Sequence, residues 1–333
     1  MLKSKFFLSF LIGLVVFAGA YLWVWNQLEG GFTAVQALEK EAGVEQVENI
    51  EEGNEIKQIN LDEVFFLLVG VDTSDVNSIR IGEDGQTGIR SDTMILCRVN
   101  FNDGSIKMMS LPRDSRVPVR GNLDKLTHAH SYGGMRLLMQ TVRDFTDLDV
   151  DYYVRVDYRA VEKIVDAIGG VELEIPQRMQ YHDTTAGKEL HVDFQPGLQK
   201  LDGQDAIRFL RFRSYSDGDI DRVKMQQYFL TEMIKQTLTP RNILRLPQLL
   251  NVYSSYIDTN MESNMVYSGV TMAGNLNTEL IETTTLPGEF LDLDASYWQV
   301  YEPGAKEVIK EYFGDYLMTP QEEEWDNLEN KNI

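Results

Sequence analysis

The longest apolar stretch of the chain lies near its amino terminus. Residues Phe6–Trp25 contain no charged side chain. A helix of about 20 residues rises ~30 Å, which is the thickness of the hydrocarbon layer of a membrane. Tyr21, Trp23 and Trp25 stand at one end of the stretch, where aromatic rings suit the membrane–water interface. This pattern predicts one transmembrane helix over residues 6–25.

The charges on either side of this stretch predict its orientation. Lys3 and Lys5 precede it, whereas residues 26–60 are rich in glutamate and poor in lysine. Positively charged flanks stay in the cytoplasm, so we expect a single-pass protein of the cell membrane with residues 1–5 in the cytoplasm and the remainder extracytoplasmic. The acidic segment 26–60 is predicted to be a solvated stalk. The alternative is a secretory signal peptide cleaved after Ala20, which also exports the rest of the chain.

From Leu61 onwards, short apolar runs alternate with segments of helical periodicity, which is typical of an α/β domain. Val64–Val69 is continuously apolar and ends at Gly70, as expected of a strand buried on both faces. The same criteria predict strands at 93–99, 105–109 and 171–175 and helices at 133–145, 161–168 and 221–238. We therefore predict one α/β domain over residues 61–315, followed by an acidic tail of residues 316–333.

Charge and cysteine content exclude several classes of protein. The chain of 333 residues carries a formal net charge of -21. This charge repels the phosphate backbone of nucleic acids, so we expect no nucleic-acid partner. Cys97 is the only cysteine and lies in an apolar run, which predicts a buried thiol and no disulfide. The histidines lack the spacing of a zinc site, so any metal ion is expected to have oxygen ligands.

Arginines and aspartates recur at the ends of the predicted strands. Asp72 follows the first strand, and Arg90 and Asp92 lead into the second. Arg113 and Asp114 follow the third strand, after a Leu-Pro turn. Ligands of α/β proteins bind at such strand ends. A second group stands just before the long predicted helix and consists of Arg211, Arg213, Asp217, Asp219 and Arg222.

These residue types suit a phosphate-bearing substrate. Guanidinium groups bind phosphate oxygens through paired hydrogen bonds and remain charged at every relevant pH. Carboxylates can hold one or two Mg²⁺ ions, and a carboxylate can also orient or deprotonate an attacking hydroxyl. Surface ion pairing is the alternative, and it is the better interpretation of any single pair, above all for Asp114 and Arg116. The recurrence of the pattern at three strand or loop ends favours a site.

A series of short motifs along the chain resembles the LytR-CpsA-Psr family of wall-polymer ligases. Each motif alone is weak, but their combination in this order is specific, and together they cover residues 61–313. The motifs are Leu67–Asp72, Arg90–Met94, Ser110–Asp114, Lys125–Ala129 with Tyr132–Gly134, Val165–Val171, Pro196–Leu198 with Leu201–Gly203, and Arg211–Arg213 with Asp217–Asp219, Arg222 and Gln226–Gln227.

The resemblance implies a fold and an activity. The fold is a mixed central β-sheet flanked by helices, an α/β/α arrangement, preceded by one transmembrane helix. The activity is that of a phosphotransferase that takes a glycopolymer, such as teichoic acid, capsule or another wall polymer, from an undecaprenyl-pyrophosphate carrier. The enzyme joins this polymer to peptidoglycan through a phosphodiester. The lipid-linked glycopolymer, peptidoglycan and the membrane are therefore the expected partners.

The resemblance also implies roles for single residues. Asp72 and Asp92 hold Mg²⁺ or Mn²⁺, and Asp219 is the candidate base for the acceptor hydroxyl. The groups that bind the pyrophosphate are Arg90, Arg113, Arg211, Arg213, Arg222 and Gln226, of which Arg90, Arg113 and Arg222 also act in catalysis. Met225 departs from the family pattern, in which an arginine often precedes this glutamine. One electrostatic contact of the family is therefore in doubt.

Two other functions remain open at this point. In a lipid-pyrophosphate hydrolase, water would replace the sugar hydroxyl at the same site. A non-catalytic wall-binding or regulatory protein would bind the polymer without transferring it. The predicted extracytoplasmic topology and the acidic net charge speak against regulation through DNA.

Overall fold

The computed structural model describes residues 58–71, 91–183, 190–212, 214–215, 219–243, 256–292 and 296–318. All of these residues belong to one unit, which spans residues 56–333. The predicted transmembrane helix at 6–25 and nearly all of the predicted stalk lie outside these ranges. Within them, no helix has both the length and the apolar composition that crossing a membrane requires.

The described residues form strands and helices in alternation. The strands are β1 (Glu63–Val71), β2 (Ser91–Asn100), β3 (Ile106–Ser110), β4 (Arg116–Val119), β5 (Asn122–Lys125), β6 (Tyr152–Asp157), β7 (Val171–Ile175), β8 (Met179–Asp183), β9 (Leu190–Phe194), β10 (Gly197–Leu201), β11 (Ile257–Thr259), β12 (Ile281–Thr285), β13 (Gly288–Asp292) and β14 (Ser296–Val300). The helices are α1 (Leu126–Thr146), α2 (Tyr158–Ile168), α3 (Gly203–Arg211), α4 (Asp219–Thr237), α5 (Pro240–Ile243), α6 (Ser263–Met272) and α7 (Glu302–Phe313). Short 3₁₀ segments occur at Ala273–Asn275, Thr278–Leu280 and Gly314–Tyr316.

A six-stranded sheet in the order β11-β6-β1-β2-β3-β12 forms the centre of the unit. β6 is parallel to β1 and β12 is parallel to β3, whereas the other neighbours are antiparallel. β1, β3, β6 and β12 therefore run in one direction and end at the same edge, here called the carboxyl edge. β2 begins at this edge, where Ser91 pairs with Val71 and Ile95 pairs with Ser110.

Helices cover both faces of this sheet. On one face, Leu67, Val69 and Leu96 pack against α1 and α7. On the other face, Ile95 and Cys97 pack against α4. This arrangement confirms the predicted mixed α/β fold with helices on both sides of the sheet. Cys97 is buried, as predicted, and burial raises the pKa of its thiol well above its usual value, so the thiol stays protonated.

Helix α1 begins earlier than its apolar periodicity predicts. The expected segment at 133–145 is only the second half of a helix that starts at Leu126. Gly133 and Gly134 have non-helical backbone angles, and Gly134 has a φ of 61°, so the helix is kinked there and its apolar pattern changes register. The other predicted strands and helices are confirmed to within a few residues.

A glycine sets how closely α3 approaches α2. Gly203 opens α3, and its backbone N–H donates to Asp166 Oδ1 at 2.8 Å. A Cβ at this position would clash with the backbone carbonyl oxygen of Glu162. We expect Gly203→Ala to lower the free energy of unfolding by ~1–3 kcal/mol, because the two helices must separate.

Gly274→Ala is the matched control for this prediction. A Cβ at Gly274 meets no heavy atom within 4 Å, so we expect the free energy of unfolding to change by less than ~0.5 kcal/mol. Urea denaturation followed by circular dichroism measures both variants. Equal effects of the two substitutions would show that the α2–α3 contact does not depend on this glycine.

Candidate active site

The structure describes only part of the predicted site. The described side chains are those of Asp92, Arg113, Arg211, Arg222 and Gln226. Asp72, Arg90 and Arg213 lie outside the described residues, and Asp219 is described only as the first backbone position of α4. The roles of these four residues stay predictions. The described ones lie on elements that reach the carboxyl edge or the helices beside it.

Asp92 and Arg113 meet at the carboxyl edge. β3 runs antiparallel to β2, so the end of β3 lies beside the start of β2. Just after β3, the N–H of Leu111 donates to the carbonyl of Met94 at 2.8 Å. Arg113 then donates from an Nη atom to Asp92 Oδ1 at 2.6 Å, with side chains that are 23% and 15% exposed. The half-buried position strengthens this charge-assisted bond relative to a fully solvated pair.

The first turn of α1 fixes the backbone on both sides of this ion pair. The N–H of Thr127 donates to the carbonyl of Arg113 at 3.0 Å. The hydroxyl of Thr127 is buried and donates to the carbonyl of Ser91 at 2.8 Å. One threonine therefore holds the residue before Asp92 and the backbone of Arg113 in fixed positions.

Helix α4 brings Arg222 and Gln226 to the same edge. The two residues are one turn apart, so their side chains project from one face of the helix. Both are buried, with 4% and 8% exposure, which is rare for an arginine. Gln226 Oε1 accepts a hydrogen bond of 3.0 Å from the hydroxyl of Thr93, the residue that follows Asp92. Side chains alternate along a strand, so Asp92 and Thr93 point to opposite faces of the sheet.

Gln227, the next residue of α4, forms hydrogen bonds with two more strands. Its Nε2 donates to Ser110 Oγ at 2.8 Å and to the carbonyl of Thr284 at 2.5 Å. The start of α4 is thus tied to β2 through Gln226 and to β3 and β12 through Gln227. These contacts hold Arg222 at the carboxyl edge.

Tyr215 lies between α3 and α4 in the chain, and its ring centroid is 4.8 Å from that of Phe212. Burial raises the pKa of Tyr215, the negative charge of Asp221 raises it further, and the positive charge of Arg222 opposes both effects. The net shift is upward, so the phenol is protonated at neutral pH.

An apolar cavity of about 240 Å³ lies between the sheet and helices α2, α3 and α4. Its walls are mostly hydrophobic and include Leu68, Ile95, Val161, Ile164 and Phe229. The polar pair of Thr93 and Gln226 also lines it. The cavity therefore ends where the polar side chains of the carboxyl edge begin.

Arg211 is placed at the side of this cavity. It lies in the last turn of α3, and its guanidinium carbon is 5.1 Å from the ring centroid of Tyr158, which lines the cavity. Leu210, the residue before it, also lines the cavity. Arg211 therefore lies next to two residues that line the apolar cavity, whereas Gln226 lines the cavity itself.

Asp157 is a residue of this region that the sequence criteria did not select. It ends β6 opposite Val71, caps α2 by accepting from the N–H groups of Arg159 and Ala160, and forms an ion pair with Arg159. An aspartate just before an amphipathic helix is a recognisable N-cap signal. Thr93 was likewise not selected, although it belongs to the motif that begins at Arg90.

The hairpin of β4 and β5 carries further cations next to Arg113. Lys125 Nζ lies 2.8 Å from Asp114 Oδ1, and Arg113 Nε lies 3.7 Å from Asp114 Oδ2. Asp114 thus forms ion pairs with both neighbours, in keeping with its structural interpretation. Lys125 Nζ also lies 5.6 Å from the ring centroid of Tyr297, and Arg116 Cζ lies 5.8 Å from it.

Arg120 stands in the turn of this hairpin in an unusual backbone conformation. Arg120 and Gly121 have φ values of 51° and 84°, which define a two-residue turn of the type that favours Asn-Gly. The left-handed region costs a residue with a Cβ roughly 1–2 kcal/mol. An exposed cation–π contact, such as that of Arg120 with Tyr132 at 6.0 Å, contributes only ~0.5–1 kcal/mol. Arg120 also donates a hydrogen bond from an Nη atom to the backbone carbonyl of Tyr132 at 2.5 Å, and a hydrogen bond from a charged group contributes ~1.5–3 kcal/mol. The two contacts together can offset the cost of the left-handed backbone.

Asp124 connects β5 to α1 and fixes Tyr132. Its Oδ1 accepts a hydrogen bond from the N–H of Lys125 at 2.7 Å and lies 2.7 Å from His128 Nδ1, and its Oδ2 accepts a hydrogen bond from the hydroxyl of Tyr132 at 2.9 Å. Burial acts to raise the pKa of Asp124, but the hydrogen bonds from Lys125, His128 and Tyr132 together lower it. Asp124 therefore stays ionised and holds both side chains in place.

The described residues do not by themselves complete a metal centre. Within these ranges, no group of three or more histidine, cysteine, aspartate or glutamate side chains is placed to hold a metal ion. The predicted metal ligands are Asp92, which is described, and Asp72, which is not. Asp92 has one oxygen bonded to Arg113. Its Oδ2 takes part in no hydrogen bond or ion pair with a described residue.

The chain also resembles proteins of known name. LcpB of Corynebacterium glutamicum, a probable cell wall biosynthesis protein, is 30% identical over 254 residues, which cover 73% of this chain and 59% of LcpB. TagT of Bacillus subtilis, a polyisoprenyl-teichoic acid–peptidoglycan teichoic acid transferase, is 28% identical over 296 residues, which cover 85% of this chain and 87% of TagT. The chain spans only about three fifths of LcpB and of a similar Staphylococcus aureus protein.

The fold has a close counterpart among solved structures. The structure of TagT bound to LIIa-WTA superposes with a TM-score of 0.60 and 26% identity, covering 79% of this chain and 94% of TagT. The model of the LytR_cpsA_psr family matches residues 32–313. With this match over most of the described residues, the resemblance of the motifs is confirmed, and the chain belongs to the LytR-CpsA-Psr family.

Proposed function

We propose that this protein is a membrane-anchored, extracytoplasmic phosphotransferase that moves a wall glycopolymer from an undecaprenyl-pyrophosphate carrier to peptidoglycan. One observation carries the proposal: an apolar cavity ends at the carboxyl edge, where Arg222, Gln226 and the Asp92–Arg113 pair lie. A lipid pyrophosphate has the same two parts, an apolar chain and a strongly anionic head. Membership of the family and the name of TagT support the same reaction class.

The cavity suits the apolar part of the carrier. Burial of apolar surface contributes ~25 cal/mol per Å², so a hydrocarbon chain is stabilised between walls such as Leu68, Ile95 and Phe229. The volume of about 240 Å³ is below the ~300–1,000 Å³ of pockets that enclose drug-sized ligands. We propose that the cavity holds the part of the carrier next to the pyrophosphate. The predicted anchor at 6–25 would keep the domain within reach of the bilayer that holds the rest.

The arginines and carboxylates suit the anionic part. Arg113, Arg211 and Arg222 are proposed to bind the pyrophosphate, together with Arg90 and Arg213. Asp92 fits a role as a Mg²⁺ ligand, because it is a hard oxygen donor with Oδ2 available beside the Arg113 pair. Asp72 follows Val71 directly in the chain and is the proposed second ligand. Bound Mg²⁺ would neutralise charge on the phosphate oxygens.

The proposed transfer step is a displacement at the phosphorus next to the polymer. A peptidoglycan hydroxyl forms a new P–O bond, and the P–O bond to the carrier breaks. Undecaprenyl phosphate leaves with the bonding electron pair, and Asp219 accepts the proton of the hydroxyl. Asp219 opens α4 three residues before Arg222, which places the proposed base at the same end of the helix as this arginine.

Transfer to peptidoglycan is tested directly with the full-length chain in a mild detergent. The reaction contains lipid-linked wall polymer, peptidoglycan fragments and Mg²⁺. We expect a covalent polymer–peptidoglycan adduct, seen by gel shift and mass spectrometry, and its loss on chelation with restoration by Mg²⁺ or Mn²⁺. Asp92→Asn is expected to lower the yield by about 10²-fold or more, because both the Arg113 pair and the cation lose a negative charge.

Asp144→Asn is the matched control for this assay. Asp144 is exposed on α1 and should leave the yield unchanged. Release of undecaprenyl phosphate without any adduct would overturn the ligase in favour of the hydrolase. Binding of the polymer with neither product would point to the non-catalytic alternative.

A further inference from the structure

We propose that His182 and His191, here called the histidine pair, form a binding site for a divalent transition-metal ion of the Zn²⁺ or Cu²⁺ class. The two residues lie on the two-stranded β8–β9 sheet, which is separate from the central sheet that carries the candidate active site. Neither residue lines the apolar cavity. The ion would have nitrogen ligands, unlike the Mg²⁺ expected at Asp92. This site is therefore independent of the proposed function.

The antiparallel register of β8 and β9 brings the histidine pair together. His182 is the direct partner of His191, so both side chains leave the same side of the sheet. The Cβ atoms of direct partners lie about 4.5–5.5 Å apart, which lets two imidazole side chains reach one ion. The two histidines do not have the sequence spacing of a zinc motif. Only the pairing of the strands shows that they are neighbours.

The distance between the two rings fits a shared metal ion. The ring centroids lie 5.6 Å apart, and the ring planes make an angle of 74°. A zinc–nitrogen bond is about 2.0–2.1 Å long, so the centroids of two imidazoles on one tetrahedral ion lie roughly 5 Å apart. The observed distance is slightly longer than this value. Rotation about the second side-chain torsion of histidine, which is broad, removes a difference of this size.

The opposite side of the same two strands is anchored in the hydrophobic core. Met179 of β8 and both Val192 and Phe194 of β9 are buried, whereas the histidine pair is exposed. The ring of Phe194 packs against that of Phe209 on α3, with centroids 6.5 Å apart. Core packing therefore fixes the positions of the two strands. It leaves both imidazole rings accessible to an ion from solution and arranged in advance to bind it.

The histidine pair supplies two of the four ligands of a tetrahedral ion. Among the described residues, no third histidine, cysteine, aspartate or glutamate joins the pair in a metal-binding arrangement. Asp193 lies on the same side of β9, but its carboxylate is paired with Arg178 at 3.3 Å. Water molecules would therefore complete the coordination, as they do at open zinc sites. The net charge of -21 favours the approach of any cation.

An edge-to-face contact between two aromatic rings is the alternative interpretation of the same geometry. Such a contact does not require histidine, and the aromatic and β-branched residues that favour strands would provide it equally well. The whole chain has only four histidines, and two of them are direct partners at exposed positions. Metal binding requires an imidazole on both strands, whereas a ring contact does not. The composition of the pair therefore favours a metal site.

A bound ion would connect β8 to β9 and stabilise the folded chain. The unfolded chain does not hold the two imidazoles together, so the ion binds the folded form preferentially. β9 also supports α3 through the contact of Phe194 with Phe209. The ion would therefore strengthen the β-sheet on which this helix packs. Its expected role is structural, and it takes no part in the transfer step.

Titration of the full-length chain with Zn²⁺ tests the histidine pair. The chain is purified in a mild detergent without a polyhistidine tag, and calorimetry is carried out in excess Mg²⁺, which occupies sites with oxygen ligands. We expect one equivalent of Zn²⁺ to bind. His182→Gln and His191→Gln are each expected to weaken this binding by at least about tenfold, because only one imidazole ligand remains.

Cu²⁺ gives a second readout that a loss of structure does not imitate. Electron paramagnetic resonance of the bound ion counts its nitrogen ligands, and imidazole is a good ligand of Cu²⁺. We expect two nitrogens in the wild-type chain and one in either variant. Circular dichroism with a chelator present establishes that the variants are folded. Zn²⁺ should raise the midpoint of thermal unfolding of the wild-type chain and leave that of the variants unchanged.

His128→Gln is the matched control. It removes a histidine on α1 that lies beside Asp124, and we expect the affinity for Zn²⁺ to stay unchanged. The histidine pair is refuted as a metal site if the wild-type chain binds no Zn²⁺, or if the variants of the pair bind it as tightly as the wild-type chain. An equal loss of affinity in His128→Gln also refutes it. The two rings then form an aromatic contact only.

Discussion

Arg113→Lys is expected to lower the rate of polymer transfer by about 10²-fold or more, although lysine keeps the positive charge. The guanidinium of Arg113 reaches Asp92 at 2.6 Å and also lies beside Asp114. It therefore has donors in fixed directions for a carboxylate and for a phosphate at the same time. A single ammonium group on a flexible stem does not reproduce this geometry. Single-turnover kinetics with lipid-linked polymer as donor measure the effect.

The matched control replaces an arginine in an exposed ion pair. Arg178 lies 3.3 Å from Asp193, with a side chain that is 52% exposed. Exposed pairs contribute little to stability, and we expect Arg178→Lys to change the transfer rate by less than about twofold. Similar rates for Arg113→Lys and wild type would exclude Arg113 from phosphate binding. The unfolding midpoint of both variants should stay near that of wild type.

Val161→Trp is expected to lower kcat/KM for a long-chain polyisoprenyl donor by at least about tenfold. Val161 lines the apolar cavity, and the larger indole occupies space that the proposed function assigns to the carrier. The loss should be smaller for a donor with only two isoprene units, because less of its chain needs the cavity. Transfer assays with the two donors measure the difference. The stability of the folded chain should be retained, since the new side chain fills an existing space.

Val266→Trp is the control for this substitution. Val266 is a partly buried valine on α6, outside the cavity lining, and we expect equal activity on both donors. A uniform loss on long and short donors with Val161→Trp would indicate damage to the site instead of a block in the cavity. No loss on either donor would remove the cavity from the carrier-binding proposal.

The parts of the fold that the sequence predicts correctly are those where the pattern of apolar residues is long or uninterrupted. Val64–Val69 is apolar without interruption, and it lies within β1 in the middle of the sheet. The position of Asp92 at the start of the second strand also followed from the pattern, and it lies at the carboxyl edge. A residue next to the end of a predicted strand must lie at one of the two edges of the sheet where strands end, so its approximate position follows from the strand prediction alone.

The rest depends on contacts that no local pattern contains. The bond between Thr93 and Gln226 joins residues that are far apart in sequence. The pairing of Gln227 with Ser110 and Thr284 requires the β3–β12 register, which is a property of the whole sheet. Gln226 and Gln227 also belong to a helix whose polar and apolar residues are not clearly separated onto two faces. Their sequence positions therefore do not distinguish them from solvent-exposed polar residues.

The β4–β5 hairpin was missed for a different reason. Its strands have only four residues each, and its turn contains Arg120-Gly121 in place of the Asn-Gly that marks this type of turn. The apolar positions Val117 and Val119 are buried, but two such positions are too few to establish a period.

The pairing of β12 with β3 also bears on how the protein is made. β12 joins Ile281 to Ile106 and Thr285 to Ser110. Loop closure over so much chain makes such a pairing slow compared with the local β2–β3 contact. During synthesis, α4 emerges before β12, so Gln227 has no Thr284 carbonyl to bind when its helix forms. The carboxyl edge thus acquires its contact between α4 and β12 late, and a chain that ends before Thr284 lacks the carbonyl that Gln227 binds.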